Sequence, residues 1–199
     1  MSMISSTHDG TLIDAVWPDR GIGAPARGLR LAVLVVAGTA LMALSAKIQV
    51  PMWPVPMTMQ TFAVLVIGMA YGWRLGGLTM LAYLAEGAAG LPVFAGGAGL
   101  AYMAGPTGGY LAGFAVAAML VGWLGGERGW DRNVPLTLVA MTLGTAVIFG
   151  LGAAWLSVLI GFDAALVNGV VPFLTGGAIK IALAAAALPF AWQLVGKLR

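Results

Sequence analysis

The sequence predicts an all-α integral membrane protein of six transmembrane helices, with ordered outer loops and both termini cytoplasmic. Three observations carry this prediction. Of 199 residues, 60% are hydrophobic and 9% charged, against roughly a quarter charged in an ordinary soluble domain. Apolar runs close to the ~20 residues that a bilayer-crossing helix needs recur along the chain. Lys and Arg fall almost entirely in alternate connections, as an even number of crossings with a basic cytoplasmic side requires.

Residues 1–28 are rich in Ser, Thr, Asp, Pro and Gly with little periodicity. They lack the apolar core and small-residue cleavage site of a signal peptide. They read as a poorly ordered cytoplasmic tail before a single six-helix membrane domain, residues 29–199. The first span is residues 29–48, the second 58–71 with its flanks, and the third about 75–85. The fourth covers 107–124, the fifth 136–160 and the sixth 170–195. The second and third are short and carry Gly68, Gly72, Gly76 and Gly77, a pattern of tilted, broken or incompletely spanning helices.

Orientation follows from charge. Arg20 and Arg27 precede the first span and Arg30 stands at its start, Arg74 lies between the second and third, Arg128 and Arg132 between the fourth and fifth, and Lys197 and Arg199 after the sixth. The opposite loops, around Trp53, Phe94 and Asp163, hold no Lys or Arg at their centres. The chain is expected to be a multi-pass protein of the inner (plasma) membrane, with the lipid bilayer as its first partner.

Two lysines break the pattern. Lys180 sits ten residues into the sixth span, ~15 Å of helix and so near the midplane, where an ammonium costs at least a few kcal/mol. It is expected to face the protein interior or an aqueous cavity and to meet a partner there; a structural pairing with a carbonyl is the competing reading. Lys47 lies at the outer end of the first span, where snorkelling to the interface is easy and is the favoured reading.

The outer connection at residues 86–105 contains Gly87, Gly90, Gly96, Gly97, Gly99 and Gly105 with Pro92 and Phe94. A flexible spacer would be polar, whereas this apolar, aromatic loop is expected to fold back over the helix ends as a lid. It leads into Gly105-Pro106-Thr107-Gly108-Gly109-Tyr110, where amides at a helix start could donate to a ligand or where glycine simply permits close helix packing. The first outer loop holds Pro51, Pro54 and Pro56, which fix an extended path. Thr58, Gln60 and Thr61 follow with hydrogen-bonding side chains. Either a pocket or plain interfacial anchoring by Trp53 and helix capping by Thr58 accounts for them.

Several functions are excluded. There is no Gly-rich phosphate loop ending in Lys-Ser or Lys-Thr, no Cys, and one histidine, His8, in the tail. No paired carboxylates lie within the spans, and no dense basic cluster suggests nucleic acid. Enzyme chemistry, a metal centre and a resident cofactor have no residues to rest on.

Four segments in order resemble a known family, BioY, the biotin-specific substrate-capture (S) component of energy-coupling factor transporters. They are Val55-Pro56-Met57-Thr58-Met59-Gln60-Thr61, then Tyr83-Leu84 through Gly90-Leu91-Pro92-Val93-Phe94-Ala95-Gly96, then residues 105–114, and Pro172-Phe173-Leu174-Thr175-Gly176-Gly177-Ala178-Ile179-Lys180. The likeness covers nearly everything after the tail. It implies a six-helix vitamin-binding fold with a pocket under the first and second outer loops and biotin as ligand. Lys180 would bond an oxygen of the vitamin, Thr58 and Gln60 or the amides near Thr107 would bond the other polar end, and Trp53, Tyr83, Phe94, Tyr102 and Tyr110 would supply walls. The family pattern carries Asp where this chain has Gly177, so no aspartate is carried over.

With no nucleotide site of its own, a chain of this kind would draw energy from a membrane coupling protein and a pair of ATPases, as the resemblance implies. Ala37, Ala40, Ala43 and Ala46 on the first helix could admit another helix closely, for docking or for ordinary internal packing. The same fold serving riboflavin or thiamin, a secondary carrier independent of ATPases, and a homo-oligomer all stay open at this point.

Overall fold

The computed structural model describes residues 10–18, 21 and 23–197; His8, Arg20 and Arg199 lie outside them. Among the described residues, five helices are long and apolar enough to cross a membrane. In chain order the elements are α1 (Leu12–Val16), α2 (Ala24–Lys47), β1 (Gln49–Val50), β2 (Met57–Thr58), α3 (Gln60–Ala88), α4 (Gly99–Met103), α5 (Gly108–Gly126), a 3-10 turn (Trp130–Arg132), α6 (Val134–Ile160), α7 (Phe162–Gly169) and α8 (Val171–Lys197).

The second and third sequence spans both lie in α3, which is not straight. Gly72 adopts φ 78° and ψ 171°, a left-handed backbone that glycine alone takes without a Cβ penalty. The chain reverses there. The Gln60 amide reaches the Tyr83 hydroxyl at 2.7 Å, 23 residues on, whereas an unbroken helix would hold them ~34 Å apart. The two arms, residues 60–71 and 73–88, are roughly 18 and 24 Å long at 1.5 Å per residue. Each is shorter than the ~30 Å hydrocarbon layer. They pack so closely that a Cβ on Gly76 would stand 3.0 Å from the Gly68 Cα.

Both arms lean on α5, the most enclosed helix: 67% of its most apolar stretch is buried, against 28% for α6. A helix apolar all round belongs in the middle of a bundle. Gly68 and Gly122 bring it against the α3 turn, where a Cβ on Gly122 would clash with the Gly68 and Gly72 backbone. α6 starts at Asn133, whose side chain accepts from the Leu136 amide, with Pro135 in its first turn, a combination suited to a helix start.

The core divides in two. One half, at the end carrying the long loops, contains Met42, Tyr83, Phe94, Tyr110, Phe114 and Phe173. The other, at the end carrying Arg74, Arg128 and Arg132, contains Leu65, Met69, Val121, Leu124, Met141 and Leu188.

Part of the residues expected to form a poorly ordered tail is ordered. Thr11 and Asp14 form a reciprocal capping box on α1, which satisfies amides that a five-residue helix could not otherwise pair. Arg30, 3% exposed, donates to Asp14 at 2.8 Å and to the Trp17 carbonyl at 2.8 Å. This clamp holds α1 beneath the Gly72 turn, and Leu12 packs on the second core cluster.

The alanine stripe of α2 does not stay on one face. Ala37 and Ala40 are exposed, Ala43 is half-buried and Ala46 fully buried. Steps of three residues lag a 3.6-residue turn by about 60° each, so Ala46 ends on the side opposite Ala37. As an outward docking surface the stripe is reduced to Ala37 and Ala40; Ala43 packs against the core of this chain.

Candidate functional site

Two loops roof the looped end. The first is a hairpin whose strands pair antiparallel, Gln49 opposite Thr58 and Val50 opposite Met57. Its ladder stops after two pairs because the connecting segment carries Pro51, Pro54 and Pro56, which lack the N–H a ladder needs. Val55 turns inward, 4% exposed, while Trp53 at the tip is 81% exposed.

The second loop follows α3 and folds back as the sequence leads one to expect. Phe94 is fully buried. Its ring rests on Gly87, where any Cβ would clash with it. It stacks on Tyr102 at 5.3 Å and meets Tyr83 edge-on at 5.5 Å, the two arrangements aromatic pairs favour.

A chain of hydrogen bonds ties the loops together. Thr58 Oγ1 donates to Gln60 Oε1 at 3.2 Å, Gln60 Nε2 donates to the Tyr83 hydroxyl at 2.7 Å, and that hydroxyl donates to the Val93 carbonyl at 2.9 Å. Tyr110 donates to the Gly169 carbonyl, which fixes the end of α7 beside the same site.

Lys180 enters from α8. Phe173, Gly177, Lys180 and Ala184 recur at intervals of four, three and four on the buried side of that helix, the spacing of one helical face. The Lys180 Nζ donates to the Thr58 carbonyl at 2.6 Å and to Thr61 Oγ1 at 3.3 Å. An ammonium has three N–H donors, so one remains for a further acceptor beyond these two.

Between these elements lies a cavity whose empty space, open mouth included, is about 550 Å³. It is lined by Thr58, Gln60, Thr61, Phe94, Tyr102, Thr107, Tyr110 and Lys180, each singled out in the sequence, and by Val55, Pro56, Ala95, Leu111, Phe114, Phe149 and Phe173. Lys180 is the one charged group in that lining. An aromatic, apolar chamber with one cation suits an anionic group carried on an apolar body. Among the described residues no His, Cys, Asp and Glu cluster could hold a metal.

Two expected wall residues lie elsewhere. Trp53 points away at the exposed hairpin tip, because the buried position of that loop is taken by Val55. Tyr83 stands behind the lining, buttressing Gln60 and Phe94. Phe149 and Phe173 were not singled out from the sequence. Phe149 sits inside a long apolar span where pocket-facing and lipid-facing residues look alike, whereas Phe173 shares the helical face of Lys180, a signal that was available.

Fold and site together define a polytopic membrane protein with a small-molecule pocket roofed by two loops at one end of its bundle. The BioY family model matches residues 19–197, and the chain belongs to that family. Relatives include the probable biotin transporter BioY of Pyrococcus horikoshii, 40% identical over 76% of this chain and 89% of its own. The biotin transporter BioY of Thermotoga maritima is 37% identical over 76% and 90%, and that of Rhizobium etli 35% identical over 80% and 89%. The crystal structure of the S-component for biotin from an ECF-type ABC transporter superposes with a TM-score of 0.75, covering 86% of this chain and 95% of its own at 24% identity. That likeness establishes the fold.

Proposed function

We propose that this chain is the biotin-binding subunit of a vitamin uptake transporter, taking biotin at the looped end and releasing it on the other side with energy from partner ATPases. The observation that carries the reading is Lys180, a single cation in an apolar, aromatic cavity with an N–H to offer. Biotin joins a carboxylate to a hydrocarbon chain and a compact bicycle, so one end meets a cation and the rest meets rings. The names of the BioY relatives agree with this choice.

In the bilayer the two arms of α3 count as separate crossings, for six in all, and the end carrying Arg30, Arg74, Arg128, Arg132 and Lys197 faces the cytoplasm, with both termini. The tryptophans support this placement: Trp17, Trp73, Trp123, Trp130 and Trp192 gather at that end and Trp53 and Trp155 at the other, as interfacial aromatics do. The partners are a transmembrane coupling protein, for which Ala37 and Ala40 offer an exposed small-residue approach on α2, and an ATPase pair. The test is equilibrium binding by the purified protein in detergent with biotin, riboflavin and thiamin in parallel. Biotin retained at micromolar concentration supports the reading, and retention of another vitamin in its place overturns it.

A further inference from the structure

Lys47 stands where an ordinary lysine would extend into the headgroup region, yet its Nζ donates to the Phe94 carbonyl at 2.9 Å, across 47 residues of sequence. Two residues on, the Gln49 amide reaches the next carbonyl, Ala95, at 3.5 Å. The partners belong to the segment that forms the pocket's aromatic wall, since Phe94 and Ala95 both line the cavity. Lys47 itself lines nothing.

Its position in the chain gives the contact a consequence. Lys47 is the last residue of α2, and β1 begins at Gln49. β1 pairs with β2, whose Thr58 carbonyl receives Lys180. The end of α2 is therefore fastened to the first loop covalently and to the second by a charged hydrogen bond. Inside the pocket the same two loops are joined a second time through Thr58, Gln60, Tyr83 and the Val93 carbonyl. The Val93 and Phe94 carbonyls, adjacent in the chain, are held by donors from different elements, Tyr83 on α3 and Lys47 on α2.

We infer that Lys47 is a positioning residue of the binding site: by holding the Phe94 carbonyl it sets the aromatic wall in place and makes the two loops close over the ligand as one unit. Hydrogen bonds to charged donors are among the stronger single contacts, and this one acts on a segment with little regular structure of its own, where local opening is otherwise easy. Removing it should free the wall while leaving the helices packed, since Lys47 is itself exposed.

The test compares the parent with Lys47→Met, which keeps the length but not the donor, and Lys47→Arg, which keeps a cationic donor. The first readout is amide hydrogen exchange over residues 91–98 in protein without ligand. The expected result is exchange roughly three- to tenfold faster in Lys47→Met, restored by Lys47→Arg, with exchange in α5 and α6 unchanged. The second is the rate of biotin dissociation, expected to rise by a similar factor in Lys47→Met alone. Unchanged exchange in Lys47→Met, failure of Lys47→Arg to restore it, or faster exchange with unaltered dissociation each overturns the inference. The dissociation readout rests on the biotin reading above. If the parent binds no biotin that reading falls, and the exchange readout decides the role of Lys47 alone.

Discussion

Lys180→Met separates the lysine's contribution to the ligand from its contribution to the fold. Methionine matches the length of the stem and removes the charge. On the fold, two effects oppose each other. The Thr58 carbonyl loses its 2.6 Å partner, a cost of about 1–3 kcal/mol for a buried group left unpaired. The helix is relieved of an ammonium in the middle of a span, worth about 2.5–3.5 kcal/mol on insertion scales. The balance runs from about 0.5 kcal/mol lost to about 2.5 kcal/mol gained, so the thermal midpoint in detergent should fall by no more than about 2 °C and rise by no more than about 10 °C. Binding has no such compensation. A carboxylate brought into an apolar chamber loses its one charged partner, and truncating one side of a desolvated charge pair costs about 2–5 kcal/mol, roughly 30-fold to several-thousand-fold in Kd. Titration with labelled biotin, beside a thermal scan of the same preparation, measures both. Unchanged affinity would show that Lys180 serves only the Thr58 carbonyl. A large fall in the midpoint would show that the lysine is first a strut of the fold.

Three further outcomes follow from the geometry. Gly87→Ala places a Cβ in the Phe94 ring; the ring must leave its seat, at about 1–3 kcal/mol, and both the thermal midpoint and biotin binding should fall, whereas an unaltered pair of values would mean that the wall repacks freely. At Gly177 a Cβ would lie 3.5 Å from the Phe149 ring, an ordinary contact, so Gly177→Asp should fold. By supplying an acceptor for a ureido N–H, it should tighten biotin about tenfold, and titration showing equal or weaker binding would mean that another group already fills the role. Asp131, at the basic end, has its carboxyl raised above the ordinary 3.8 by burial, against the lowering effects of the Trp192 indole and Arg132. The folded state therefore holds a proton that the unfolded state releases, and stability falls as pH rises from 3.8 through the raised value. Asp131→Asn can still accept from Trp192 and should remove that slope in a thermal scan across pH 4–8; an identical slope in the variant would place its origin in another group.

The long helices were legible because lipid and protein impose the same demand on them. The predicted spans 107–124, 136–160 and 170–195 differ from α5, α6 and α8 by a few residues at their ends, since a run of apolar residues must end where the bilayer does. What escaped was set by short-range or three-dimensional terms. α1 is too brief for any periodicity, and its sole signal is the Thr11 to Asp14 capping spacing. α7 lies in the connection between α6 and α8 and follows Gly161 with φ 85°, a turn that hydropathy does not register. The reversal at Gly72 was marked by its glycines, but only contact between the arms distinguishes a hairpin from a tilted helix.

At the site, sequence identified the residues whose chemistry is out of place and passed over those whose chemistry fits the membrane. Lys180, Thr58 and Gln60 stood out because polar groups in a span need partners. Phe149 did not, because a phenyl ring is equally at home in lipid and in a pocket. The two lysines show where that logic stops. Lys180 is costly to place, so it was expected to have a partner, and it has two. Lys47 is cheap to place, so nothing in its local sequence demanded a partner, and yet it holds the Phe94 carbonyl. The energetic cost of a position identifies residues that must be satisfied. It does not identify a residue that satisfies another, because there the need belongs to a backbone carbonyl 47 residues away, and any donor that the fold brings within reach can meet it.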